Sequence, residues 1–130
     1  MFTYVLIVDD SHVTRAAIRA RLEHEPGLVI CGEAADGIDA IRQASTCRPD
    51  LVLLDLAMPK LNGAETAVAL KRMMPKVHIF LFTLFAENAN DLAPRLGVDA
   101  VLAKHEGMHE LVHRIRKFLD SENHRTASAN

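Results

Sequence analysis

Apolar and polar positions along the chain follow two alternating rhythms. Short runs rich in Val, Ile and Leu recur at Tyr4 to Asp9, Leu28 to Glu33, Leu51 to Asp55, Val77 to Thr83 and Asp99 to Leu102. Between them lie stretches with helical spacing, roughly Ser11 to Glu25, Gly37 to Cys47, Gly63 to Met74, Glu87 to Leu96 and Glu106 to Asp120. The last is the clearest, because Met108, Leu111, Val112, Ile115 and Phe118 recur at offsets of three and four and share one stripe. Strands alternating with helices of this length predict βαβ units and a parallel sheet covered on both faces.

Proline and glycine mostly agree with that division. Pro26-Gly27 closes the first helix, Pro49 precedes the third strand and Pro75 stops the third helix. Pro94 is the exception, since it falls inside the fourth helical stretch, removes a backbone donor and clashes with the preceding turn. That helix is expected to be short, shifted or mobile. The segment 121–130 is polar without apolar periodicity and reads as a frayed end or linker, which leaves residues 1–120 as the domain.

Composition sets limits more than it suggests a function. The 130 residues carry 15 Lys plus Arg against 17 Asp plus Glu, a formal net charge of -2, so nothing marks the chain for direct contact with nucleic acid. The 49% hydrophobic and 25% charged residues give an ordinary globular balance. No apolar run approaches the ~20 residues of a membrane helix, and no secretory signal is visible, so no membrane association is expected and the cytoplasm is the expected compartment. Cys31 and Cys47 are too few for a disulfide framework and lack zinc spacing; both read as buried thiols.

The chemistry gathers at strand ends. Asp9 and Asp10 follow the run VLIV, and Asp55 follows LVLL, which puts three acids at carboxyl ends of strands, the edge where doubly wound sheets bind ligands. Carboxylates held close together repel unless they protonate or share a cation. An all-oxygen site of this kind suits Mg²⁺, which keeps waters and combines a few carboxylates with a phosphate oxygen. Thr83, ending the fourth strand, and Lys104, just past the fifth, supply a hydroxyl and a cation for the remaining phosphoryl oxygens. Asp55, placed centrally, is the expected nucleophile, giving an aspartyl-phosphate.

Taken together, Asp9-Asp10, Asp55 with Met58-Pro59 and Gly63 after it, Thr83 and Lys104 resemble the receiver domain of two-component response regulators, over about Tyr4 to Asp120. The segments GEAADG (Gly32 to Gly37) and LVLLDLAMP are most similar to receivers that precede a helix-turn-helix DNA-binding domain. The resemblance implies a flavodoxin-like fold: a five-stranded parallel sheet of order 2-1-3-4-5, doubly wound with five helices. It implies that a sensor histidine kinase or histidine phosphotransfer protein donates the phosphoryl group from phosphohistidine. Asp10 and Asp55 would ligate Mg²⁺ directly, Asp9 through water, and Ala57 through its backbone carbonyl. Asp55 would accept the phosphoryl group, which Thr83 and Lys104 would bind. The chain would dephosphorylate itself slowly but turn over no external substrate. A homodimer or an output domain would engage the face of the fourth helix, fifth strand and fifth helix.

Several positions depart from that pattern. Receivers usually carry Tyr or Phe three residues before the Lys, where this chain has Val101. The residue after the Thr is commonly small, yet here Leu84 follows and then Phe85. Val101 and Pro94 together raise an alternative, a receiver-like interaction module working without phosphorylation. A phosphatase of another α/β family ranks third, because the second Asp such enzymes place two residues after the nucleophile is Ala57 here. Alone, Asp9-Asp10 would be a helix cap, Thr83 a strand former, Lys104 a surface charge, and Gly63 the opening of a helix. His105, His109 and His113 have a spacing that can bind Zn²⁺ or Ni²⁺, but solvated histidines are the simpler account, as for His12 beside the crevice.

Overall fold

The computed structural model describes residues 2–58, 62–84 and 86–129, and their elements follow the expected alternation. In chain order they are β1 (Thr3–Val8), α1 (His12–Leu22), β2 (Leu28–Ala34), α2 (Gly37–Cys47), β3 (Leu51–Leu54), α3 (Gly63–Met73), β4 (His78–Thr83), α4 (Ala86–Ala89), α5 (Ala93–Leu96), β5 (Ala100–Ala103) and α6 (Gly107–Ala129). All strand pairs are parallel, as the alternation predicts, and the sheet order is β2-β1-β3-β4-β5, the doubly wound arrangement that the family resemblance implies.

The two-residue period of a strand explains why the sheet is apolar on both sides. One face carries Leu6, Val8, Val52, Leu54, Ile79 and Leu81, packed against α2, α3 and α4 through Ala40, Ala44, Ala67, Leu70 and Ala89. The opposite face carries Val5, Ile7, Leu51, Leu53, Phe80 and Phe82. It meets Ile18 and Leu22 of α1 and Leu111, Val112 and Ile115 of α6. Polar caps start the helices: Ser11, Asp36 and Asn62 each accept a backbone N–H three residues on, from Thr14, Asp39 and Glu65. β1 and β2 therefore lead through short turns into capped helices, and those turns fall at the carboxyl ends of the parallel strands.

Three expectations need amendment or correction. The fourth helical region is two four-residue helices, α4 and α5, with Pro94 in the first turn of the second, where its missing donor costs least. The segment expected as a frayed tail is helical as far as Ala129, because no Gly or Pro after Gly107 interrupts α6. Cys31 and Cys47 are joined in a disulfide rather than left as thiols; Cys31 lies mid-β2 and Cys47 ends α2, and packing of α2 on β2 brings their Cα atoms to 5.8 Å.

Candidate functional site

Two adjacent parallel strands, β1 and β3, deliver the acids to one place. Backbone pairing extends past the strand ends: Asp9 N–H donates to Ala34 O and Asp55 N–H to Val8 O, both at 3.0 Å, which fixes Asp55 beside Asp9. Carboxylate oxygens of Asp9, Asp10 and Asp55 all lie within 4.8 Å of one another. Asp9 and Asp55 are buried, whereas Asp10 is exposed at the mouth. Asp9 is further held by Ser11 N–H, which donates to its Oδ1 at 2.8 Å, and by Arg15 Nη1, which donates to its carbonyl at 2.6 Å.

Lys104 begins a single 3₁₀ turn (Lys104–Glu106) directly after β5 and reaches across the edge. Its Nζ lies 2.7 Å from Asp9 Oδ2 and 3.3 Å from Asp55 Oδ2. Burial pushes the Asp55 carboxyl above its usual range, repulsion from Asp9 adds to this, and Lys104 offsets part. Burial acts to lower the Lys104 ammonium, but its hydrogen bond to Asp9 and the charges of Asp55 and Asp9 raise it on balance. Such a cluster carries more negative charge than one lysine compensates, which is the condition under which a divalent cation is welcome.

The crevice above these groups has a volume of about 380 Å³ and is lined by Asp10, Ser11, Thr14, Asp55, Ala57, Thr83, Leu84 and Lys104. Thr83 is fully buried at the end of β4, and Leu84 is 65% exposed at the rim. Ala57 N–H turns back to Asp55 Oδ1 at 3.3 Å. Asp9, Asp10, Asp55, Ala57, Thr83 and Lys104 therefore meet at one edge, while Pro59 and Phe85 lie outside the described residues. Ser11, Thr14 and Arg15 were not singled out; the helix-capping pattern after Asp9-Asp10 was their available signal. Val101 is half-buried against the core cluster that also receives Leu96 and Val98.

Other sequence candidates do not join a site. His105 sits in the 3₁₀ turn, out of register with the exposed His109 and His113 of α6. Among the described residues only Asp9, Asp10 and Asp55 form a group able to hold a metal. His12 is exposed at the first position of α1. Gly63 does open α3, and it also lies so close to the acceptor loop that a Cβ there would stand 2.3 Å from Asp55 O. No helix among the described residues is long and apolar enough to cross a membrane.

Comparison with known proteins agrees with this geometry. Residues 5–116 match the response regulator receiver domain family. The response regulator protein VraR of Staphylococcus epidermidis is 32% identical over 119 residues, covering 91% of this chain and 57% of that protein. The protein-glutamate methylesterase/protein-glutamine glutaminase of Pyrococcus horikoshii is 37% identical over 97 residues, covering 75% of this chain and 26% of the enzyme. The chain thus spans from about a quarter to just over half of these relatives. Among solved structures, a LuxR family two-component response regulator from Aurantimonas superposes with a TM-score of 0.85 at 27% identity, over 93% of this chain and 87% of that one. The response regulators among these, one of them of the LuxR family, are in line with the resemblance to receivers of the helix-turn-helix group. With the acids, the threonine and the lysine assembled, a module acting without phosphorylation is disfavoured. The chain belongs to the response regulator receiver domain family and is a phosphoacceptor switch of two-component signalling.

Proposed function

We propose that Asp55 is the phosphoryl acceptor and that the acid cluster around it holds Mg²⁺. The observation that carries this reading is the approach of three carboxylates to within 4.8 Å of one another at an edge where Lys104 touches two of them. The donor set is all oxygen, suited to a hard cation. Asp10, Asp55 and the Ala57 carbonyl would hold the ion, with Asp9 acting through water. When bound, the ion offsets negative charge on the acceptor and on the phosphoryl oxygens.

The donor is phosphohistidine on a sensor histidine kinase or a histidine phosphotransfer protein. A carboxylate oxygen of Asp55 forms the new O–P bond as the N–P bond breaks, and the imidazole leaves with the electron pair and takes up a proton. Lys104 is released from Asp55 to bind a phosphoryl oxygen, and the Thr83 hydroxyl binds another. Water later attacks phosphorus, which restores the carboxylate and yields inorganic phosphate, so no external substrate is turned over. The phosphoryl group adds roughly -1.5 to -2 charge at the crevice, and the face of the fourth helical region, β5 and α6 carries that change to a homodimer partner or an output domain. In a longer parent protein that output would bind DNA; the receiver itself contacts no nucleic acid or membrane, and the cytoplasm is its compartment.

Incubation with a small acyl phosphate and Mg²⁺, followed by intact mass spectrometry, tests the assignment. One added phosphoryl group on the parent and none on Asp55→Asn is the expected result. Addition to Asp55→Asn, or none to the parent, overturns it.

A further inference from the structure

Division of the fourth helical region into two short helices leaves α3 only partly covered. Between α3 and α5 lie two cavities of about 460 and 410 Å³ that share Val68, Arg72 and Leu96, so they form one continuous trough. The floor is small and apolar, made of Ala64, Val68, Ala69 and Leu96. The walls are cationic: Lys71, Arg72 and Arg95 line the trough, against the single acid Glu65. Lys71 is engaged, because its Nζ donates to Val77 O at 2.5 Å. Arg72 and Arg95 are exposed, and neither takes part in an ion pair among the described residues. In a chain of net charge -2 this is a local excess of positive charge over an apolar floor.

We infer that the trough is a docking site for an acidic amphipathic helix of a partner protein. From Ala64 to Arg72 the trough runs along about two turns of α3, or ~12 Å, a span that apolar residues at i, i+3, i+4 and i+7 of a docked helix match. Its acidic residues would face Arg72 and Arg95, so charge selects the partner while the floor supplies apolar burial. A second copy of this chain is a poor occupant, since a symmetric contact through α3 would set the same arginines against each other. Two arginines flanking an apolar floor also lack the extended basic stripe of a nucleic-acid surface. The inference does not depend on phosphorylation of Asp55.

The probe is a short amphipathic peptide with leucine at those helical positions and glutamate elsewhere, alongside its lysine-for-glutamate counterpart. Titration into the isotope-labelled full chain, followed by NMR, should give saturable shifts for the glutamate peptide along α3 and at Leu96 and Gly97. The double variant Arg72→Glu/Arg95→Glu changes two exposed side chains and should melt like the parent. It should lose at least about tenfold in affinity for the glutamate peptide and gain affinity for the lysine peptide. Absence of saturable shifts, equal binding of both peptides by the parent, shifts centred elsewhere, or concentration-dependent shifts at the trough without peptide would each overturn the assignment. Retained glutamate-peptide binding by a folded double variant would do so too.

Discussion

Lys104 Nζ stands closer to Asp9, at 2.7 Å, than to Asp55, at 3.3 Å, although Asp55 is the central acid of the crevice. The cation is therefore committed mainly to a supporting carboxylate and compensates the proposed acceptor only in part. Burial, with repulsion from Asp9 added, therefore keeps the Asp55 carboxyl above its usual range despite a lysine in contact.

Replacing the lysine should expose how much it holds. In Lys104→Met two buried carboxylates lose their shared cation, and the crevice is open enough to water that the cost falls to about 1–3 kcal/mol. Thermal melts in divalent-free buffer should show the lower midpoint. Added Mg²⁺ should raise the variant more than the parent, because no ammonium competes for the same oxygens. Equal increments would show that lysine and cation do not share a site.

Removing the acceptor charge should act in the opposite direction. A carboxyl whose folded pKa is raised favours the fold while protonated; that contribution disappears as pH rises through the folded value, and the ionised group is then a net cost. Without divalent cation at pH 7, Asp55→Asn should melt about 2–5 °C above the parent. The gap should close as the buffer is taken below about pH 4, where the parent carboxyl is neutral too. Calorimetry across that range checks the sign, and a gap that widened in acid would contradict it.

What was legible in the sequence is the part set by local rules. Each acid follows an unbroken apolar strand, so Asp9, Asp10 and Asp55 could be put on one edge once the strands were counted, and Thr83 and Lys104 with them. Pro94 announced a fourth helical region in trouble. The trough beside Leu96 was not legible, because it depends on where α5 comes to rest against α3. The helix beyond Asp120 was missed because helical propensity without an apolar stripe leaves no periodic signal. The pairing of Cys31 with Cys47 was missed because it is decided by tertiary packing of α2 on β2, not by spacing.

That bond yields its own expectation. It closes a loop over a sequence separation of 16, and constraint of the unfolded chain over such a loop is worth about 3 kcal/mol. Urea unfolding with and without reductant should show the reduced protein less stable by about that amount, with Cys31→Ser/Cys47→Ser indifferent to reductant. Alkylation before reduction should label neither cysteine. Two labels on the unreduced native protein would show the thiols to be free.

Gly63 offers the sharpest test of how the acceptor loop is held. Its N–H donates to Leu56 O at 3.0 Å, which draws the first residue of α3 against the backbone that carries Asp55. A Cβ at this position would stand 2.3 Å from Asp55 O and 2.5 Å from Leu56 Cα. Both neighbours are backbone, so no side chain can swing aside, and Gly63→Ala must push α3 and the Asp55 loop apart. The expected cost is about 1–3 kcal/mol, and because the displaced backbone is the one that aims Asp55, phosphoryl uptake should fall more than stability does. Intact mass spectrometry after acyl phosphate treatment, at a temperature where circular dichroism shows the variant folded, separates the two effects. Uptake at the parent's rate in that folded variant would show that the tight Gly63 contact serves packing alone.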